Sequence, residues 1–550
     1  MTTTVAVIGG GVAGMTAAQE LAERGFKVTV YEDRNIAGGK ARSVAAIHSS
    51  IAGNGPLPGE HGFRFFPGFY QHIPDTMRRI PYPGNPDGVF GNLCSCPDFE
   101  FARTTGPSII VPTHPPTSFD DLKLDLSALG AVDWPVAAHE LAYFASRLFI
   151  LLSSCEERRY QEWEYTRWWD FVGAETRSDG YRKYLAQGLT RCFVAAKAME
   201  MSTRTGGYIG LQLGLDATGR RGNIDRILNG PTNERWIEPW LSHLTALGVD
   251  YRWEHRVTGI HAEGNRITGI DVSSKVFSET VTADWYVAAI PVERMIALAT
   301  PTMCEAEPIL AGLGNLKTNW MNGVQFYLGR DAPIARGHTV YIDSPWALTS
   351  ISQAQFWRDI DWSKLGNGDV TGILSVDVSD WDTAGINGKA ASGCTSEEIV
   401  AEVWAQLKAH LDEFGEHPLD DDDRIDSYID HDIRWPMGGA IVNVEPLLVN
   451  TAGSWQHRPP AAGKIENLVL ASDYVQTFTD LACMEGANEA ARRAVNAILA
   501  ASGSTAAPCE IFPLHEPAVF APLRALDRAR FKLGLAHHAM KGPGEAPADH

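Results

Sequence analysis

The segment EHGFRFFPGFY, residues 60–70, sets a carboxylate, an imidazole and a guanidinium, Glu60, His61 and Arg64, among four phenylalanines and a tyrosine. Side chains of these types can carry protons, hold an anion or steady a developing charge, and aromatic faces supply a dry wall around such work. The same residues also suit hydrophobic core, with Glu60 and Arg64 paired to each other or to a phosphate. A second set lies upstream: Gly9, Gly11 and Gly14 in the spacing GxGxxG, with Glu32 following 18 residues after Gly14. Glycines so spaced bring backbone N–H groups up to a diphosphate, and a carboxylate at that remove accepts hydrogen bonds from ribose hydroxyls.

The stretch VAVIGGGVAGMTAAQELAERGFKVTVYEDR reads as a buried strand, a glycine turn, a helix and a second strand, a complete βαβ unit. Gly9 permits the tight turn, Gly11 lets phosphate approach the backbone, and Gly14 lets helix pack on strand. The helix N-terminus adds free N–H groups and a partial positive charge. Glu32 at the end of the second strand favours an unphosphorylated ribose, hence FAD or NAD over NADP. Directly after it, NIAGGKARS carries Gly38, Gly39, Lys40 and Arg42, a second glycine pair for which an NAD dehydrogenase has no use.

With that pair the chain resembles two-dinucleotide-binding-domain flavoproteins, in which a GG followed by a basic residue meets the diphosphate and flavin, and the resemblance implies FAD. Three later stretches extend it: NERWIEPWLSHLTALGVDYRWEHRVTGIHAEGNRITGIDV with Val257, VTADWYVAAIPVERMIAL with its turn Ala288 to Pro291, and ENLVLASDYVQTFTDLACMEGANEAARRAVNAIL with Asp473, Met484, Glu485, Gly486 and Ala487. In the family the valine contacts adenine through its backbone, the acid binds near the diphosphate and ribityl chain, and the last helix points its N-terminus at the flavin pyrimidine. The implied fold is α/β, a Rossmann-like FAD-binding domain with an α+β substrate domain, discontinuous in sequence. Residues 1–100, 235–300 and 450–502 are expected to bind FAD, 101–234 and 301–449 to bind substrate, and 503–550 to form an extension with an amphipathic helix.

EHGFRFFPGFY tips the resemblance toward carotenoid and phytoene desaturases, with likeness also to squalene-processing flavoenzymes and limonene dehydrogenases. It then places Glu60, His61 and Arg64 beside the flavin as first candidates for catalysis, with Phe63 among the cofactor contacts. The expected reaction is hydride removal by FAD from an allylic C–H of an isoprenoid or terpene hydrocarbon, giving a double bond or, with water, an alcohol. A flavin amine oxidase and a non-catalytic subunit of a heteromeric complex are the alternatives. With no second GxGxxG, the electron acceptor is expected to be a quinone, oxygen or an electron-transfer protein.

A formal charge of −20 and the lack of any Lys/Arg block argue against a nucleic-acid partner. Eight cysteines with no CxxC pair suit free thiols in a reducing cytosol. The N-terminus enters a strand at once, without the pattern of a removed signal. VAAHELAYFASRLFILLSS is broken by His139, Glu140 and Arg147, so a buried or interfacial helix is expected in place of a span. A cytoplasmic protein follows, with peripheral contact at the inner membrane and a homo- or hetero-oligomer left open. Trp163, Trp168 and Trp169 suit either helix packing or the wall of an apolar pocket. The run PLDDDDRIDSYIDHDIRWP reads as a solvated loop, and no metal site is expected there or at His537 and His538.

Overall fold

Strand β1 (Thr4–Ile8) is apolar on both faces, as a strand covered by helices on both sides must be. It runs into helix α1 (Val12–Ala22) and returns in β2 (Lys27–Tyr31), pairing in parallel from Thr4 opposite Lys27 to Ile8 opposite Tyr31. The computed structural model describes residues 2–46, 49–50, 53–113, 136–188, 190–191, 196–216, 225–412 and 417–540. In it β1 lies at the centre of a five-stranded parallel sheet ordered Leu468–Leu470, Trp285–Ala288, β1, β2, Asp250–Arg252. Helix α1 and the helix Met484–Ala501 pack together on this sheet; Ala17, Ala18, Ala490, Ala491 and Ala494 are fully buried, and their small side chains permit the close approach.

A second sheet of seven strands runs in the order Arg424–Ile429, Asn322–Leu328, Gly372–Val378, Leu348–Ser352, His338–Tyr341, Asp98–Ala102, Ile109–Pro112. Its four central members are buried throughout. Alternation along each strand divides their side chains between two faces. Val324, Phe326, Leu374, Val376, Val378 and Leu348 take one face, under the helix Ser396–Leu411, where Ile399, Val403, Trp404 and Leu407 close a core. A capping box of Thr395 and Glu398 starts that helix. The other face carries Val340, Thr349, Asp377 and Gly323 in one cross-strand row and looks toward the parallel sheet.

Trp163, Trp168 and Trp169 are buried with Phe144, Phe171 and Tyr181 in a helical cluster and none of them reaches the main cavity, so helix packing is their role. Asp421 to Asp423 form an exposed turn as expected of a solvated loop, but Asp430 and Asp432 from the same run are buried. The loop reading fails for those two because each carboxylate has a buried cationic or amide partner. Helix Ala521–Lys532 lies on the body, with Asp527 accepting from the Arg158 guanidinium at 3.0 Å and the Cys155 N–H at 2.9 Å. The Asp527 carboxylate lies close to His537 and His538, which the spacing alone had not linked to an acid. Among the described residues no helix is long and apolar enough to cross a membrane.

Candidate functional site

The glycine turn after β1 is tight enough that side chains are excluded from it. Gly9 has φ +98°, and a methyl there would lie 2.5 Å from the Ala289 carbonyl oxygen. A methyl on Gly14 would overlap the Gly9 carbonyl, which accounts for the third glycine as a packing position. Gly10, the residue between the first two motif glycines, is equally constrained, by the Tyr251 hydroxyl. That hydroxyl donates to the Gly10 carbonyl at 2.8 Å, while the Gly10 N–H donates to Glu32 Oε2 at 2.8 Å. Glu32 Oε1 accepts from the Arg34 N–H at 2.8 Å, and burial pushes the carboxyl's pKa up against these donors. Gly38 and Gly39, both left-handed, press onto the first turn: Gly38 donates to the Gly10 carbonyl at 3.1 Å.

From this cradle a cavity of about 660 Å³ runs between the two sheets. Gly9, Gly11, Glu32, Gly38, Gly39, Lys40, Val257, Asp473, Met484 and Ala487 line it, and so do His61, Phe63 and Arg64. Helix α1 starts at Gly11 with no side-chain cap, so its first-turn N–H groups are left for a ligand anion. Lys40 donates to the Pro446 carbonyl and lies 3.8 Å from Glu293. Arg34, unremarked in the sequence, pairs with Glu445 and Asp432 at the same end.

Four expected site residues stand outside the cavity wall, among them Gly14, the packing position under the first turn. Arg42 is buried beneath the glycine pair, donating to the Gly39 carbonyl at 2.6 Å and to Asp432 at 2.6 Å, and so anchors the loop instead of meeting a cofactor. Glu60 accepts from the N–H and hydroxyl of Thr232 at 3.1 and 3.0 Å, and burial pushes its pKa up. The Glu485 side chain turns back to the N-terminus of helix His72–Arg79, accepting from the N–H groups of Gln71, His72 and Ile73 at 2.7, 2.7 and 2.9 Å, with His72 Nδ1 at 2.8 Å. Burial opposes its ionisation, but the imidazole and these donors outweigh it and hold the pKa below the usual range.

Because that pKa is depressed, the Glu485 contribution to stability is full above the unfolded value near 4.3 and is lost as pH falls through the folded one. Glu485→Gln should cost roughly 1–3 kcal/mol from neutral pH down to about pH 4.3, and urea unfolding should show the deficit shrinking only below that.

At the far end of the cavity the segment 61–65 meets the second sheet. Arg64 donates to the carbonyls of Ala41 and Lys40 at 3.1 and 3.0 Å, which ties it to the glycine pair; burial lowers its pKa against the pull of Glu60 and Asp377. His61 Nδ1 lies 2.6 Å from Asp430 Oδ2, and although burial works to raise Asp430, His61 and Asn322 hold its pKa at about 2. Asp377, not singled out in the sequence, faces the cavity from near the end of its strand. Burial, reinforced by Glu60 and Asp430, raises its pKa to about 7 although Arg64 and the Phe63 N–H oppose the rise. Its Oδ1 has no hydrogen-bond partner, and neither has Thr349 Oγ1 beside it in the row.

Two strands away His338 presents an unpartnered Nε2 to the same cavity and binds Asp225 through Nδ1. The rings of Phe63, Phe65 and Phe99 surround its imidazole with centroids at 4.7, 5.0 and 6.1 Å. Cys483, next to Met484, is a thiol at neutral pH, its pKa pushed up to about 12 by burial. No local signal marks Asp377, Asp225 or His338, because long-range strand pairing brings them to the site.

A glycine cradle, a carboxylate at the end of β2 and a chamber between a parallel sheet and a second, mixed sheet suit a dinucleotide-dependent oxidoreductase. The chain belongs to the flavin containing amine oxidoreductase family, whose model matches residues 185–499, while a NAD(P)-binding Rossmann-like domain matches residues 7–80. It is an FAD-dependent oxidoreductase, and it is similar to carotenoid desaturases. It is 22% identical over 515 residues to a 15-cis-phytoene desaturase from Synechococcus elongatus, covering 90% of this chain and 96% of the relative. It is 24% identical over 534 residues to a zeta-carotene desaturase from Synechocystis, covering 90% and 97%. Among solved structures, cyclohexylamine oxidase from Brevibacterium oxydans shares the fold with a TM-score of 0.59 at 15% identity, covering 92% of this chain and 99% of that one.

Proposed function

We propose that the enzyme takes a hydride from an allylic C–H bond of an apolar isoprenoid hydrocarbon, leaves a new double bond, and passes the electrons to a quinone, oxygen or an electron-transfer protein. The observation that carries this reading is the chamber beyond the glycine cradle, where Phe63, Phe65, Phe99, Val340, Met321 and Leu448 present apolar wall. The desaturase relatives support it.

FAD fits the cradle, where a side chain on Gly9, Gly10 or Gly14 would collide and where the start of α1 is uncapped. In this reading Gly9, Gly11 and the first turn of α1 hold the diphosphate, Glu32 the ribose, and the backbone of Val257 the adenine. Lys40, Asp473, Met484 and Ala487 border the remainder. Bound there, FAD supplies a two-electron acceptor for hydride. The phenylalanine faces exclude water and stabilise positive charge left in the substrate, by about 0.5–2 kcal/mol each.

Anaerobic titration of the holoenzyme with carotenoid precursors, squalenes, monoterpenes and amines tests this. Bleaching of the oxidised flavin spectrum by an isoprenoid and by no amine is expected. Bleaching by an amine alone would sink the reading.

A further inference from the structure

We infer that Asp377 is the proton acceptor of this desaturation, taking the proton from the carbon beside the one that gives up hydride; the inference rests on the function proposed above. Once hydride has left with its electron pair, the substrate carries a carbocation. The electron pair of the neighbouring C–H bond then closes the new C=C bond as its proton forms an O–H bond on the Asp377 carboxylate. FAD is the two-electron oxidant, and atoms and charge balance with one proton gained by the protein.

The geometry favours Asp377 over Glu60, Asp430 and Arg64. It stands in the row Val340, Thr349, Asp377, Gly323 on the face turned to the parallel sheet, and Oδ1 is buried without a hydrogen-bond partner. A methyl on Gly62 would lie 2.7 Å from that oxygen, so the carboxyl is next to the backbone of the segment whose Arg64 reaches the glycine pair. Glu60 is outside the wall and committed to Thr232. Asp430 is engaged by His61 and by Asn322 at 2.6 Å. Arg64 has no lone pair to offer.

The charged groups that face Asp377 are Arg64 and Glu60 from the segment 60–64 and Asp430 from the strand end beyond Gly323. Their balance with burial leaves the carboxyl near half-ionised at neutral pH, the condition under which a base accepts a proton and later releases it. The rival is His338, held by Asp225, on the same face two strands and two residues away, roughly 12 Å by strand geometry.

The test compares wild type, Asp377→Asn and His338→Gln as FAD-loaded proteins. With an isoprenoid that bleaches the wild-type flavin, Asp377→Asn should slow bleaching by about 10²–10⁴-fold and leave flavin content and affinity for the neutral hydrocarbon unchanged. A readout independent of turnover is binding of a quaternary trimethylammonium derivative of the same chain, which carries a fixed positive charge. Wild type should bind it at least about tenfold more tightly at about pH 8.5 than at about pH 5.5, and Asp377→Asn should show no such difference. Infrared difference spectra over the same pH range should lose a protonated-carboxyl band in Asp377→Asn.

Bleaching by Asp377→Asn within about threefold of wild type would overturn the inference, as would a pH-dependent ammonium affinity that survives Asp377→Asn and disappears in His338→Gln. If the substrate reading itself is wrong, wild-type flavin stays oxidised with every isoprenoid even though the infrared band is present, and that result overturns both.

Discussion

Gly14→Ala is expected to yield protein that retains its second sheet and loses its flavin. The added methyl falls on the Gly9 carbonyl oxygen, a backbone atom with no room to retreat. Gly9 itself is fixed by its N–H bond to the Tyr31 carbonyl at 2.9 Å and by its close approach to Ala289. Helix α1 must therefore lift from β1, which opens the turn that meets the diphosphate. Overpacking of a rigid site costs about 1–3 kcal/mol, and the distortion falls where cofactor binding is most exacting. Flavin-to-protein absorbance should drop at least about tenfold, with a lower urea midpoint. Gly210→Ala is the matched control: Gly210 lies in helix Thr203–Asp216 with open space around it, and alanine there should be neutral or stabilise by about 0.5–1 kcal/mol. Full flavin content in Gly14→Ala would contradict this account of the turn.

Asp432→Ala should be the most destabilising single change at the junction of the two sheets. Asp432 is fully buried and accepts from Arg42 at 2.6 Å and from Arg34 at 3.2 Å. Arg34 keeps Glu445 when Asp432 is removed, but Arg42 has no second carboxylate and is itself buried. An uncompensated buried guanidinium costs about 3–5 kcal/mol. Because Arg42 also holds the Gly39 carbonyl, the second glycine pair should loosen and flavin affinity should fall with stability. Arg42→Met combined with Asp432→Leu should recover most of the loss, since replacing both members leaves no stranded charge. Urea unfolding of the three proteins checks this; additive losses in the double variant would show that the pair acts through something other than mutual compensation.

Local chemistry made the nucleotide-binding half readable. The GxGxxG turn, Glu32 and the second glycine pair lie within forty residues, and each needs only its own backbone and a neighbouring strand to act. Where side chains answer to distant partners, residue type misled. Arg42 and Glu485 have the charge of cofactor ligands, yet a buried aspartate and a helix N-terminus claim them first. The acidic run hid Asp430 and Asp432, because composition marks the exposed turn and not the two positions that the next strand carries inward. Asp377 was illegible for a geometric reason. Within the strand Gly372–Val378 it is one of two polar residues, with Ser375, and only the pairing of Thr349 with Asp377 and of Gly323 with Asp377 shows which face it serves.

Strand β1 is made first, but one neighbour in the parallel sheet, Trp285–Ala288, comes far later in the chain, and the edge strand Leu468–Leu470 and the helix ending at Ala501 come later still. At about 5–20 residues per second a ribosome leaves the apolar edge of β1 waiting roughly 14–55 s for Trp285–Ala288, and the outer edge of that strand waits in turn for Leu468–Leu470. Pairings of such long sequence separation also form slowly once all members are present. The coenzyme cradle is therefore complete only once the helix Met484–Ala501 has been made. Chains cut short before Leu468 should aggregate in preference to accumulating as flavin-binding fragments.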